Sequence, residues 1–246
     1  MRIPRVYAEQ SLRPHDELML EPDSAHYLTQ VLRLKVGAPL ILFNGMGGEY
    51  SGKIQAIVGR QVTVATLNHE AIERESPLAI TLVQGISKGD RMDYTFQKAV
   101  ELGVNRLIPV FCERSVVHLS GERAERRTAH WRGVVRSACE QCARNRLPAV
   151  DDPQPLPRYF QTLTGESIRL VLDPARGISL RARAQQIDQP SQLVMLVGPE
   201  GGLSEAEVEA ALAAGFTPIT LGPRVLRTET AGVAALAAAQ ALWGDF

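Results

Sequence analysis

From Leu78 onward the chain keeps one rhythm: short aliphatic runs at Leu78–Ile86, Arg106–Phe111, Ile168–Leu172, Leu193–Val197 and Thr217–Leu221, with helical stretches between them. Such runs show little polar alternation, so each can be buried on both faces, as the central strands of a parallel sheet are. Strands alternating with helices predict an α/β fold with a mostly parallel sheet. The helix punctuation agrees. Asp90 stands where it can cap a helix running to Leu102, with Gly103 just past its end, and Ser204-Glu205-Ala206-Glu207 spells a capping box for a helix ending at Gly215. Further helices are expected from about Arg123 to Arg144 and, alanine-rich, from Ala231 to Leu242.

The N-terminal part reads differently. Apolar stretches at Val31–Leu34, Pro39–Phe43, Gly52–Val58 and Gln61–Leu67 are broken by turn signals at Lys35-Val36-Gly37, at Asn44 to Gly48 and at Gly59-Arg60. Short strands at this spacing suggest a small barrel or sandwich, interrupted by one helix from about Ser24 to Leu32. The polar stretch Ala71–Pro77 reads as a linker, giving domains over 1–72 and 73–246.

Lys plus Arg and Asp plus Glu both number 27, which excludes a globally basic nucleic-acid binder but not a local basic face. Such a face is on offer between Glu113 and Arg146, where eight arginines stand against four glutamates; a solvated helix face is the plainer reading of the same run. Three cysteines make no disulfide framework, and the opening MRIPRVYAEQ has no apolar core of a secretion signal, so a cytoplasmic protein is expected. The small apolar run Gly232–Leu242 is too short to span a bilayer and contains Gln240. Cys139-x-x-Cys142 lacks a second ligand pair, so both are expected to be buried thiols and no metal is implied. His15, His26, His69, His118 and His130 stand singly.

Two loops carry the chemistry. Gly198-Pro199-Glu200-Gly201-Gly202 joins a buried strand to a capped helix, which is where open α/β sheets bind ligands. Neither a dinucleotide fingerprint nor a phosphate-cradling loop is spelled there, and Glu200 would repel a pyrophosphate. The second loop, Gly222 to Thr230, brings two arginines, a glutamate and two threonines to the start of the final helix. Its plain alternative is a solvated loop in which Thr228 or Thr230 caps that helix.

Leu196 to Ser204 (LVGPEGGLS) and Leu221 to Ala231 (LGPRVLRTETA) resemble the signature loops of the RsmE family, the SPOUT-class 16S rRNA (uracil-N3) methyltransferases. The likeness covers nearly the whole chain: Met1-Arg2-Ile3-Pro4-Arg5, His26-Tyr27-Leu28 with Val31-Leu32-Arg33, Lys88 to Asp93, Lys98 to Gly103, Glu113-Arg114-Ser115, and Glu140-Gln141-Cys142 with Arg144-Asn145-Arg146. Cys139 departs from it, at a position where a small residue is expected.

The resemblance implies an N-terminal PUA-like β-barrel for RNA and a C-terminal SPOUT fold whose chain threads a trefoil knot. It also implies a cytoplasmic homodimer acting on 16S rRNA of the small ribosomal subunit, with S-adenosylmethionine as methyl donor and uridine N3 as acceptor. A cationic sulfonium needs backbone groups and apolar walls, which Leu172, Gly198, Pro199, Glu200, Gly201, Gly202, Leu221, Gly222, Leu226 and Thr228 would supply. Arg227, with Arg224 second, would stabilise charge developing on the uracil, and Glu229 or Glu200 would serve as base if its pKa were raised. Arg2, Arg5, Arg33, Lys35, Arg144 and Arg146 are the expected phosphate contacts. The competing expectations are a SPOUT methyltransferase with another RNA target, a ribosome-assembly factor that binds RNA without catalysis, and a nicotinamide-dependent oxidoreductase.

Overall fold

A computed structural model describes residues 3–117 and 119–246; Met1, Arg2 and His118 lie outside the described residues. The chain divides into two compact units, one of residues up to Glu75 together with Cys139–Leu147, the other of Ser76–Ala138 with Pro148–Phe246.

The first unit is built on β1 (Arg5–Tyr7), β2 (Glu17–Met19), α1 (Pro22–His26), β3 (Pro39–Phe43), β4 (Glu49–Val58) and β5 (Gln61–Glu70). These strands form a sheet in the order β1-β3-β4-β5-β2, antiparallel except at β1–β3. Val6, Leu18, Leu28, Leu40, Leu42, Ile54, Val62 and Val64 make its core. The expected helix over Ser24–Leu32 is instead α1 followed by a π-helical turn, Tyr27–Val31, which ends at Arg33 with φ +55°. Val31–Leu34 is therefore not a strand; Leu32 and Leu34 pack against the core from this irregular segment.

Residues 139–147 join this unit through buried charge. Arg5 donates to Glu49 Oε2 at 2.6 Å and to the side-chain oxygen of Asn145. Asn145 Nδ2 in turn donates to the Ile72 carbonyl at 2.6 Å, and Arg74 donates to Glu49 and to the Ala143 carbonyl. Arg144 pairs with Glu75. Arg5 and Arg144, expected as phosphate contacts, are 6% and 4% exposed and committed to these partners, so they hold the unit together instead. Breaking one side of such a buried pair costs about 3–5 kcal/mol. Cys139 is buried as expected, whereas Cys142 is only half-buried.

The second unit follows the expected rhythm. It comprises β6 (Ala79–Gly85), α2 (Arg91–Glu101), β7 (Val104–Phe111), α3 (Glu122–Cys142, its last residues passing into the first unit), β8 (Ala149–Val150), β9 (Gln154–Pro155), α4 (Leu156–Gln161), β10 (Ile168–Leu172), β11 (Ile178–Ser179), α5 (Leu180–Ala184), β12 (Gln192–Val197), α6 (Glu205–Ala213), β13 (Thr217–Thr220) and α7 (Thr228–Trp243). All strand pairs are parallel, in the order β11-β13-β10-β12-β6-β7-β8 with β9 also on β7. Val83, Ile108, Val110, Val171 and Leu196 are nearly inaccessible, as strands covered on both faces require. Among the described residues no helix is long and apolar enough to cross a membrane.

Candidate functional site

Strands β10, β12 and β13 end on the same side of the sheet, and the loops leaving their carboxyl ends enclose a cavity of about 640 Å³. Three stretches line it: Leu172 to Pro174, Val197 to Leu203, and Ile219 to Ala231 apart from Gly222, Pro223 and Thr230; Arg91, Arg114 and Val208 complete the wall. Of the residues singled out for the donor site, Leu172, Gly198, Pro199, Glu200, Gly201, Gly202, Leu221, Leu226 and Thr228 all face this cavity, as do Arg224, Arg227 and Glu229. Gly222 does not line it.

The glycine loop is shaped by close backbone approach. A Cβ at Gly198 would sit 2.9 Å from the Leu203 nitrogen, and Gly202 has φ +69°. Beneath it, a Cβ on Gly85 at the end of β6 would lie 2.5 Å from the Pro199 nitrogen. Beyond the loop the capping box forms in full: Ser204 Oγ accepts from the Glu207 N–H and Glu207 Oε2 accepts from the Ser204 N–H. Glu207 Oε1 also accepts from the Glu113 N–H at 2.8 Å, and Arg114 Nη1 donates to the Gly201 carbonyl. One carboxylate thus ties α6 to the segment after β7.

The capping role expected of Thr228 or Thr230 is not what the second loop shows. Thr228 begins α7 rather than capping it: Arg227 holds the cap position, and the Thr228 hydroxyl donates to the Gly198 carbonyl at 2.6 Å and accepts from Gln84 Nε2 at 2.9 Å. Gln84 is 1% exposed on β6. Sequence reasoning passed over it, although a lone amide inside the aliphatic run Leu78–Ile86 was the available signal.

Charge is arranged unevenly around the cavity. Glu200 accepts from the Lys88 N–H and from Arg91 Nη1, both at 2.8 Å. Partial burial alone would raise its pKa, but the Lys88 and Glu200 N–H groups and the Arg91 guanidinium outweigh that and hold the carboxyl below the ordinary value. Glu200 is thereby a poor base, contrary to one of the two expectations for it. Glu229 lies in the first turn of α7, its Oε1 3.7 Å from Arg91 Nε and its Oε2 buried without a hydrogen-bond partner among the described residues. Arg224 and Arg227 are exposed on the loop. Arg91, missed as a site residue, opens α2, and Arg114, also missed, lies in the turn after β7, both far away in sequence.

The residues fit a cationic, adenosine-bearing donor: apolar walls from Leu172, Val197, Ile219 and Leu226, a run of backbone groups in two loops, and no phosphate cradle. No group of ligands for a metal ion occurs among the described residues. Of the expected phosphate contacts, Arg33, Lys35 and Arg146 are exposed on the first unit, with Arg146 3.4 Å from Glu73.

Comparison with known proteins is consistent across sequence and structure. A model of an RNA methyltransferase domain matches residues 74–240, and a model of an RNA methyltransferase PUA domain matches residues 20–67. Ribosomal RNA small subunit methyltransferase E of Buchnera aphidicola (Schizaphis graminum) is 34% identical over 244 residues, covering 99% of this chain and 98% of that one. Its namesake in Bacillus subtilis is 31% identical, covering 88% and 86%. The crystal structure of ribosomal RNA small subunit methyltransferase E from Neisseria gonorrhoeae bound to S-adenosyl methionine superposes with a TM-score of 0.93 at 40% identity, covering both chains completely.

Proposed function

The chain belongs to the ribosomal RNA small subunit methyltransferase E family, and from that premise we propose that it methylates uridine N3 in 16S rRNA, with S-adenosylmethionine as donor. It is an S-adenosylmethionine-dependent rRNA methyltransferase with a SPOUT-type α/β unit and a PUA unit. The observation that carries the site assignment is the cavity at the carboxyl ends of β10, β12 and β13, with Thr228 tying its two loops together.

When bound, S-adenosylmethionine supplies an electrophilic methyl group on a sulfonium. Gly198–Gly202, Leu221, Leu226 and Leu172 hold the donor by backbone groups and apolar contact. The acceptor N3–H is a weak nucleophile until its proton leaves, and the resulting anion is shared with the flanking carbonyl oxygens. Arg227, with Arg224 beside it, stabilises that charge; one such preorganised donor contributes about 3–4 kcal/mol. Glu229, which lines the cavity and lies 3.7 Å from Arg91 where Glu200 is hydrogen-bonded to it, takes the N3 proton. As the N3–methyl bond forms the carbon–sulfur bond breaks, leaving a neutral thioether. Arg33, Lys35 and Arg146 contact phosphates. This reading also takes the chain as a cytoplasmic homodimer with a knotted C-terminal unit, supported by its family.

The test is incubation of the protein with S-adenosylmethionine and small subunits lacking the modification, followed by mass spectrometry of the digested rRNA. 3-Methyluridine should appear, and be absent with Gly201→Trp, whose side chain would drive into Arg114. A different methylated nucleoside would move the target. No donor binding by calorimetry would favour the non-catalytic assembly factor.

A further inference from the structure

A second, open cavity of about 760 Å³ adjoins the donor cavity, lined by Lys88, Gly89, Asp90, Tyr94, Thr230 and two residues that face both spaces, Arg91 and Glu229. Its floor is the start of α2. Arg91 and Tyr94, three residues apart, share one face of that helix. Tyr94 is 48% exposed, a large aromatic ring sharing the cavity with Lys88, Asp90 and Arg91. Asp90 occupies the helix cap position without using its side chain as a cap, contrary to the sequence expectation, so its carboxylate stays open to the cavity. A Cβ at Gly89 would meet nothing within 4 Å, leaving the backbone there open to approach.

We infer that this cavity receives the acceptor base as a single unstacked uridine, and that Arg91 is the positioning residue that fixes it against the donor cavity. The assignment rests on the methyl-transfer reading and names where its second substrate lies. A base withdrawn from its stack needs a π-surface, and Tyr94 offers one. Lys88 supplies a cation for the adjoining phosphate, and Asp90 an acceptor for a ribose hydroxyl. The carboxylate of Glu229, which lines both cavities, can accept from uracil N3–H, whereas cytosine presents a lone pair at N3 and would be repelled. Arg91 bonds Glu200 of the donor loop at 2.8 Å and lies 3.7 Å from Glu229 of α7, so a single guanidinium sets the spacing of the two cavities.

The experiment uses the full chain and a single-stranded rRNA fragment substituted with 4-thiouridine. Irradiation should crosslink the RNA to the segment Lys88–Tyr94. Tyr94→Ala should lower kcat/KM for small subunits about tenfold, through KM, with the S-adenosylmethionine Kd unchanged. Arg91→Ala should lower kcat at saturating RNA, and Arg91→Lys should restore part of it. Crosslinks confined to other segments, together with an unaltered kcat/KM for Tyr94→Ala, would overturn the assignment while leaving methyl transfer intact. Crosslinking at Lys88–Tyr94 by a protein that transfers no methyl group would support the cavity and sink the methyl-transfer reading.

Discussion

The Thr228 hydroxyl lies 2.6 Å from the Gly198 carbonyl oxygen and donates to it, joining the first turn of the last helix to the glycine loop thirty residues earlier. The Thr228 hydroxyl oxygen also accepts from Gln84 Nε2, so three segments meet at one side chain. Thr228→Val keeps the shape and removes the hydroxyl, taking the donor from the Gly198 carbonyl and leaving Gln84 Nε2 with the Gly85 carbonyl alone, at a cost of about 1–3 kcal/mol. Donor affinity should fall about tenfold by calorimetry, with the fold intact by circular dichroism.

Gly85→Ala places a methyl 2.5 Å from the Pro199 backbone nitrogen, where no flexible side chain can yield. The loop over the donor cavity must shift. S-adenosylmethionine binding should be lost, and an affinity equal to wild type would show that the loop tolerates displacement.

Arg227→Ala should reduce kcat about 10²- to 10³-fold at saturating donor, with the donor Kd unchanged. Turnover equal to wild type would remove Arg227 from the chemistry and leave Arg224 as its replacement.

Glu49 controls an acid limb of stability. Burial alone would raise its pKa, but hydrogen bonds from Arg5, Arg74 and Asn145 outweigh that and lower it below 4.5. A carboxyl depressed in the folded state contributes stability above its unfolded value and loses it as pH falls through the folded one. The Tm of wild type should therefore drop below pH 4.5, and Glu49→Gln should be less stable at neutral pH with a flatter acid limb.

Arg33→Glu should weaken RNA binding and reduce its salt dependence by about one unit of slope, sparing donor affinity. Arg5→Ala should instead lower Tm, because Arg5 is buried against Glu49. An unchanged RNA affinity for Arg33→Glu would remove it from the interface.

The parallel sheet was legible because its strands are local apolar runs: Ile168–Leu172 is reproduced to the residue, and the capping box at Ser204 forms as written. The Gly198–Gly202 loop was legible from the glycines between a buried strand and a capped helix, and Gly222–Thr230 from its polar residues ahead of an alanine-rich helix. What escaped was everything decided by distant partners. Arg5 looks like a surface cation until Glu49 and Asn145 enclose it, and Gln84, Arg91 and Arg114 become site residues only when the sheet brings their segments to one edge. Val31–Leu34 is apolar enough for a strand, yet the preceding helix relaxes into a π-turn and forces Arg33 to positive φ.

The chain passes between its two units at residues 75/76, 138/139 and 147/148. During synthesis, the side chains of Arg5 and Glu49 emerge long before Asn145 and Arg144 do, so the N-terminal unit must wait, with its buried charges half-matched, until more than half of the protein has left the ribosome. A chain released early, at any point before Leu147, yields neither unit in finished form.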